Sequence, residues 1–331
     1  MKRTQWSESK TAAKINLLHH EGNTRGRLMK YLIGTGGWAY FPTSKEPSLK
    51  AYSETFNFAE VNYTFYEYPP LRMVEQWRCT VPLDFTFTVR CHQDLTHNIG
   101  LKPVDEAYAV FSRMLGVCQV LHTPILHLLT PATQALDTER LKQAEAFLST
   151  TSRKGIRLAW EIRSQASAKA VKLMQDHGII HSVDLSRETP AYNSDILYTR
   201  LFGKGKHNRY QFTDQELDEI ERTAAKCEAE TRIVAFHGLR MSSDALRFKK
   251  YVETGRFLPV TAYIGVESAR ATLTEDARFP CTKAELVDHQ GWKVIDFTPN
   301  ERSHLSNLLS KLPERIYKSV QDVVMELEAL A

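Results

Sequence analysis

From residue 31 onward, short runs dominated by β-branched and aromatic residues alternate with longer stretches whose apolar positions recur every three or four residues. The first pattern predicts buried strands and the second predicts amphipathic helices packed over them. Strands are predicted at 31–34, 58–62, 85–89, 125–129, 157–161, 180–185, 196–201 and 232–236, with helices over 48–57, 71–79, 104–120, 138–150, 167–177, 214–227 and 243–254. This alternation sets the strands parallel, because each crossover of about a dozen residues returns the chain to the same edge of the sheet. Eight such units predict an α/β fold closed into a parallel (β/α)8 TIM barrel. The competing architecture, an open doubly wound sheet, usually carries G-x-G-x-x-G after its first strand. Here Gly34-Thr35-Gly36-Gly37-Trp38-Ala39 breaks that pattern at its sixth position.

After Gly255 the rhythm changes. The stretch 264–271 is ambiguous in type, Thr282 and Glu285 form a capping box ahead of Leu286 and Val287, and helical periodicity returns at 303–312 and 319–330, on either side of Pro313. The chain therefore reads as a basic leader (1–29), a barrel (30–257) and a small helical appended module (258–331).

Composition narrows the class. A chain of 331 residues with 42% apolar and 25% charged residues is folded rather than disordered. No run approaches the ~20 consecutive apolar residues of a membrane span, and the first thirty residues show neither an apolar h-region nor a cleavage site. No membrane insertion or secretion is expected. Cys79, Cys91, Cys118, Cys227 and Cys281 are odd in number and widely spaced, without a C-x-x-C pair, which fits a reducing, cytoplasmic setting. The net charge is +4, and the excess sits in residues 1–30, where seven Lys/Arg face Glu8 and Glu21. Such a leader either contacts nucleic acid or keeps the chain soluble.

In a parallel barrel the reactive groups lie at the C-terminal ends of the strands and in the loops that follow. That rule selects Thr35 and Trp38 after strand one, Glu60 and Asn62 at strand two, and Arg90, His92 and His97 after strand three. Strand four offers only Thr130, with His127 inside it read as a barrel histidine. Glu161 and Arg163 follow at strand five, Asp184 at six, Arg200 at seven and His237 at eight. Desolvated charges need partners, so these groups either tie the rim together, as Glu161 with Arg163 or Glu60 with Arg90, or converge on a ligand. Gly203-Lys204-Gly205-Lys206, leading to Tyr210, is either a phosphate-binding loop or a solvated basic loop. Glu161, Asp184 and His237 would suit a divalent metal ion, although no local ligand spacing such as H-E-x-x-H supports one. Tyr63, Phe65, Tyr66 and Tyr68 read as a stacking platform for a base or sugar, or as a lid over the barrel end.

Several of these segments resemble one family. Gly34 to Tyr40, Glu60-Val61-Asn62-Tyr63-Thr64-Phe65-Tyr66 with Pro69, and Thr96-His97 with Leu101 are similar to the G-T-S-G-W-x-Y, E-x-N-x-T-F-Y-x-x-P and T-H-x-x-x-L patterns of the YecE-like family of TIM barrels. Trp160-Glu161-Ile162-Arg163 and Tyr198-Thr199-Arg200 resemble its W-E-x-R and Y-x-R segments. The likeness spans about residues 31–255 and implies a barrel related to the xylose-isomerase and endonuclease-IV group, without an assigned activity. The chain departs from the pattern at Gly36, where Ser is common, at Phe202 in place of His, and at His237-Gly238 in place of Asn-Asn; the loop after Trp38 is also shortened. Residues 279–330 resemble a second, small helical module, whose net acidity suits docking or assembly.

The expected function is that of a hydrolase or lyase acting on a phosphate-bearing substrate, nucleotide or nucleic acid. Arg90, Arg163, Arg200, Lys204 and Lys206 would hold anionic oxygens, with Thr35, Trp38, Glu60, Asn62 and Tyr210 completing the binding surface. Glu161 or Asp184 would act as general base or metal ligand, and His97 or His237 as general acid. The alternatives are a non-catalytic binder of single-stranded nucleic acid or a phosphometabolite, and a scaffold whose C-terminal module docks a protein partner.

Overall fold

A computed structural model describes residues 29–43 and 48–330. The basic leader, apart from Met29, lies outside the described residues. Eight parallel strands, β1 (Lys30–Thr35), β2 (Phe58–Val61), β3 (Thr86–Arg90), β4 (Ile125–Thr130), β5 (Arg157–Ile162), β6 (Ile180–Ser182), β7 (Ile196–Leu201) and β8 (Thr231–Phe236), follow the order β6-β5-β4-β3-β2-β1-β8-β7. The ring is completed between β6 and β7 by a parallel bridge from Val183 to Thr199, with Arg200 N donating to Val183 O at 3.0 Å. The TIM barrel expected from the alternation is therefore present.

Helices α1 (Ser48–Thr55), α2 (Leu71–Thr80), α3 (Asp105–Leu121), α4 (Thr138–Thr150), α5 (Ala168–Asp176), α6 (Asp214–Lys226) and α7 (Met241–Thr254) surround it, and none joins β6 to β7. Their starts follow local chemistry. Asp137 and Ser167 accept the Arg140 and Ala170 amides at the heads of α4 and α5, and Thr213 with Glu216 forms a capping box on α6. Strand β6 is shorter than the sequence suggests because Asp184 leaves the ladder for a turn, accepting the Ser186 amide on its side chain and the Arg187 amide on its carbonyl.

Two-residue alternation along each strand builds two apolar layers. Ala59, Val61, Phe87, Val89, Leu128, Trp160 and Val234 face the helices in the main core, whereas Leu32, Phe58, Ile125, Ala159, Ile180, Tyr198, Ile233 and Ala235 form a separate cluster within the barrel. Each fully buried large apolar side chain stabilises the fold by about 1.5–3 kcal/mol. The inner plug therefore provides a buried apolar support for polar groups further along the same inward faces.

The C-terminal segment differs from expectation. It is not helical alone: helices α8 (Gly265–Asp276), α9 (Lys283–Gln290), α10 (Ser306–Leu309) and α11 (Val320–Ala329) pack with two antiparallel pairs, β9 (Cys281–Thr282) with β12 (Ile316–Tyr317) and β10 (Val294–Thr298) with β11 (Glu301–His304). The capping box at Thr282 and Glu285 heads α9 as the sequence suggests. Leu273, Leu286, Ile295, Leu309 and Val323 contribute to a core distinct from that of the barrel.

Candidate functional site

Inward alternation carries Glu60 on β2, Thr88 and Arg90 on β3, His127 on β4, Glu161 on β5, and Tyr198 and Arg200 on β7 toward the barrel interior. The centre is Arg200, 1% exposed. Its Nε donates to both oxygens of the fully buried Glu60 at 3.2 and 2.9 Å, its Nη2 to Glu60 Oε1 at 2.9 Å, and its Nη1 to Glu161 Oε2 at 2.5 Å. Tyr198 Oη donates to Glu60 Oε2 at 2.8 Å and lies 2.7 Å from Thr88 Oγ1, while Arg163 Nε donates to Glu161 Oε1 at 2.9 Å. One guanidinium thus bridges two carboxylates across the barrel. Of the two ion pairs expected, Glu161 with Arg163 forms, and Glu60 pairs with Arg200 rather than Arg90.

Burial alone would raise the Glu60 carboxyl, but Arg200 and the surrounding cations outweigh it and hold it well below the usual range. Glu161 is lowered to about 2 by the same balance, with Arg200 the main opposing charge. Both are anionic at neutral pH. Burial, then repulsion from Arg200, pushes His127 and His237 down to about 3, so both imidazoles are neutral. His127 Nε2 lies 3.1 Å from Ser182 Oγ and 3.7 Å from Glu161 Oε2. His237 Nε2 stands 3.4 Å from Glu60 Oε1 without a hydrogen-bond partner, and its ring stacks on Phe202 at 4.6 Å and 19°. Gly36 makes room for that ring: a Cβ at residue 36 would fall 2.0 Å from His237 Cε1.

Arg90 is different in kind. It is 6% exposed, lies 3.5 Å above the Phe65 ring and donates through Nη1 to Asn62 Oδ1 at 2.6 Å. Its Nε has no partner, and among the described residues no carboxylate comes within ion-pair distance of it. Burial, reinforced by Arg200, lowers it to about 10, which still leaves it cationic at pH 7. His97 packs edge-on to Phe65 at 5.0 Å, and burial together with Arg90 and Arg163 depresses its pKa. Two carboxylates therefore face three guanidiniums beside neutral imidazoles. Among these five groups the guanidiniums outnumber the carboxylates by one, and Arg90 holds a desolvated donor with nothing to bond.

The structure brings together Glu60, Asn62, Arg90, His97, Glu161, Arg163, Arg200 and His237 from the residues selected by sequence. It engages the others elsewhere. Thr35 lies on the outward face of β1, bonded to Tyr52 Oη and the Gly37 carbonyl, and Trp38 packs edge-on against Trp77 and Phe87. Asp184 accepts Ser186 N and Oγ on Oδ1 and the Phe202 amide on Oδ2, so it ties two loops together, and burial raises its pKa. Lys204 reaches Glu216 at 3.3 Å, Tyr210 Oη also donates to Glu216, and Lys206 is exposed. The loop glycines are explained by packing: a Cβ on Gly203 would strike the Tyr210 ring, and one on Gly205 the Arg209 carbonyl. The metal site expected from Glu161, Asp184 and His237 is not assembled; among the described residues no three His, Cys, Asp or Glu groups come together to hold an ion. Glu161 faces guanidiniums and Asp184 faces backbone and Ser donors instead.

The sequence does not single out Thr88, Tyr198 or Ser182 as site residues and reads His127 as a barrel histidine, whereas Phe65 belongs to the aromatic cluster it marks as a platform or lid. Strand parity would have found the interior ones, since His127 shares the inward face and Thr130, chosen in its place, points outward to accept the Trp160 indole N–H at 2.9 Å.

Similar proteins agree on the fold. DUF72 family proteins from Thermotoga maritima MSB8 and Enterococcus faecalis V583 match with TM-scores of 0.55 and 0.52 at 21% and 14% identity, each covering 68% of this chain and 99% and 98% of theirs. At such identities the likeness concerns the fold alone. The UPF0759 protein YunF of Bacillus subtilis (strain 168) is 34% identical over 102 residues, 29% of this chain and 35% of that protein, so the match spans about a third of its length. The pattern described as "Protein of unknown function DUF72" matches residues 32–260, most of the chain, and with it the barrel built around Arg200 belongs to the DUF72 family.

Proposed function

We propose that the barrel mouth binds an anionic, phosphate-bearing substrate and acts on it as a hydrolase or lyase. The observation that carries this reading is the buried Arg90 guanidinium, which lacks a carboxylate and keeps an unbonded Nε. Leaving such a group unpaired costs several kcal/mol, so the site favours a ligand that supplies the missing charge. An oxyanion placed between Arg90 and Arg163 receives charge-assisted hydrogen bonds from both. Glu60 and Glu161 do not serve as bases here: Arg200 holds both, and together they fix that guanidinium in place. The neutral His97, beside Arg90 and Arg163, is the proton-transferring group, since an arriving anion offsets those cations and raises the imidazole toward neutral pH. Tyr66, 57% exposed and edge-on to Phe65 at 4.9 Å, offers a planar surface beside the anion position and favours a nucleotide over a bare sugar phosphate.

Calorimetric titration with nucleoside monophosphates tests the binding step. Arg90→Gln is expected to weaken affinity at least tenfold. His97→Asn should leave affinity within about threefold while lowering turnover 10²-fold or more, the usual range for a lost general acid or base. Binding that ignores Arg90→Gln would reject the reading, and binding without any turnover would leave a binding protein in its place.

A further inference from the structure

A second ligand position lies away from the barrel mouth, at the seam between the loops after β7 and β8 and the C-terminal module. A cleft of about 340 Å³ opens there, walled by Arg209 and Leu239 on the barrel side and by Arg278, Leu286, Gln290 and Trp292 on the other. Its volume falls within the ~300–1,000 Å³ typical of small-molecule sites. The acidic residues that also line it are engaged: Asp276 accepts from Lys293 Nζ, and Glu285 Oε2 accepts the Thr282 amide and hydroxyl at 2.8 Å each. The cations are less so. Arg278 has no ion-pair or hydrogen-bond partner among the described residues, and Arg209 has only Asp288 at 3.8 Å.

Gln290 supplies the pointed observation. It is 5% exposed and lines the cleft, with one edge of its amide turned toward Asp276. The opposite edge, Oε1, is buried with no donor. Trp292 Nε1 is held by the His289 carbonyl at 2.9 Å, which leaves the indole surface rather than its N–H available to the cleft. An apolar and aromatic wall, two weakly compensated guanidiniums and an acceptor that needs a donor define complementary chemistry.

We infer that this cleft binds a small planar anion bearing an N–H or O–H donor, with its ring against Trp292 and Leu286, its donor on Gln290 Oε1 and its charge between Arg209 and Arg278. The site is independent of the barrel mouth in its residues. It shares a loop pair with it, because Leu239 N bonds to Asn208 O at 3.2 Å two residues beyond His237.

The test is titration of the full chain with two probes, anthranilate for a carboxylate and adenosine 5′-monophosphate for a phosphate, followed by indole fluorescence and NMR. At least one probe is expected to bind with sub-millimolar affinity and to perturb the Trp292 indole signal, and the stronger one identifies the anion class. Arg278→Glu, a surface change, should weaken that binding at least tenfold while Arg90→Gln leaves it within about twofold. Gln290→Leu should weaken it further without unfolding the module, as judged by unchanged NMR signals for β10 and β11. Two results would overturn the inference: neither probe binding at millimolar concentration, or binding that is lost with Arg90→Gln and untouched by Arg278→Glu. The second of these would assign the probe to the barrel mouth and leave the proposal for that site standing.

Discussion

His237 owes its position to what its neighbours lack or supply. The missing side chain of Gly36 admits the imidazole, and Phe202 provides the face on which it stacks. Gly36, Phe202 and His237 thus form one packing unit above Glu60. A neutral imidazole inserted beside Arg200 has a pH consequence. Its pKa falls from 6.5 to about 3 on folding, because burial and Arg200 disfavour the charged ring. The stability it contributes is therefore complete above pH 6.5 and is lost as the pH falls, since the unfolded chain takes up a proton that the folded chain refuses. One such group gives a slope of about 1.4 kcal/mol per pH unit between roughly pH 6 and 4. The unfolding free energy from urea curves recorded between pH 7.5 and 4.5 should fall less steeply for His237→Asn than for the parent, by that amount. Parallel curves would mean that the ring is not held neutral.

At the scale of the element, the first turn of α6 fixes the loop that follows β7. Glu216 completes the capping box with Thr213 and also takes Lys204 and Tyr210, so helix start and loop are one construction. Thr213→Ala should cost about 1 kcal/mol, measured by thermal or urea unfolding, and a negligible change would mean that the cap is replaced by solvent. The strands show what the sequence could convey. Glu60, Glu161 and Arg200 were legible because each sits at the end of an apolar run, where inward alternation leaves a charge facing the mouth. Their pairing was not legible: Arg200 reaches Glu60 from 140 residues away, and only barrel closure sets that distance. Thr35 and Thr130 also end their strands but lie on the outward face, bonded to Tyr52 and Trp160, which position along the run alone does not reveal. The β10–β11 hairpin is hidden for a related reason, since Glu301–His304 buries none of its residues fully and its second half falls in the stretch 303–312 that reads as helical.

Over the whole molecule, the C-terminal module is attached to the barrel by a chain of charges. Asp214, at the head of α6, accepts Arg247 Nη2 at 2.5 Å and Arg302 Nη1 at 3.0 Å, and Arg302 Nε also bonds Asp296 at 2.9 Å. Asp296 in turn accepts the Val260 and Thr261 amides, which anchors the segment leaving the barrel. Gln211 adds two further ties, its carbonyl lying 2.8 Å from His304 Nε2 and its Oε1 accepting the Val294 amide at 2.9 Å. Because each unit has its own apolar core, loss of the ties should open the seam without melting either. Arg302→Ala is the selective way to do so: Asp214 keeps Arg247, and Asp296 keeps its two amide donors, so no buried charge is left alone and the penalty stays below the ~3–5 kcal/mol of a fully orphaned one. Amide exchange is expected to accelerate at least tenfold in β10 and β11 and at residues 258–264, with proteolytic cleavage appearing in that connecting segment, while the strands β2 to β5 keep their protection. Equal acceleration throughout would show that module and barrel open as one unit, and the charge chain would then be a contributor to global stability rather than a latch at the seam.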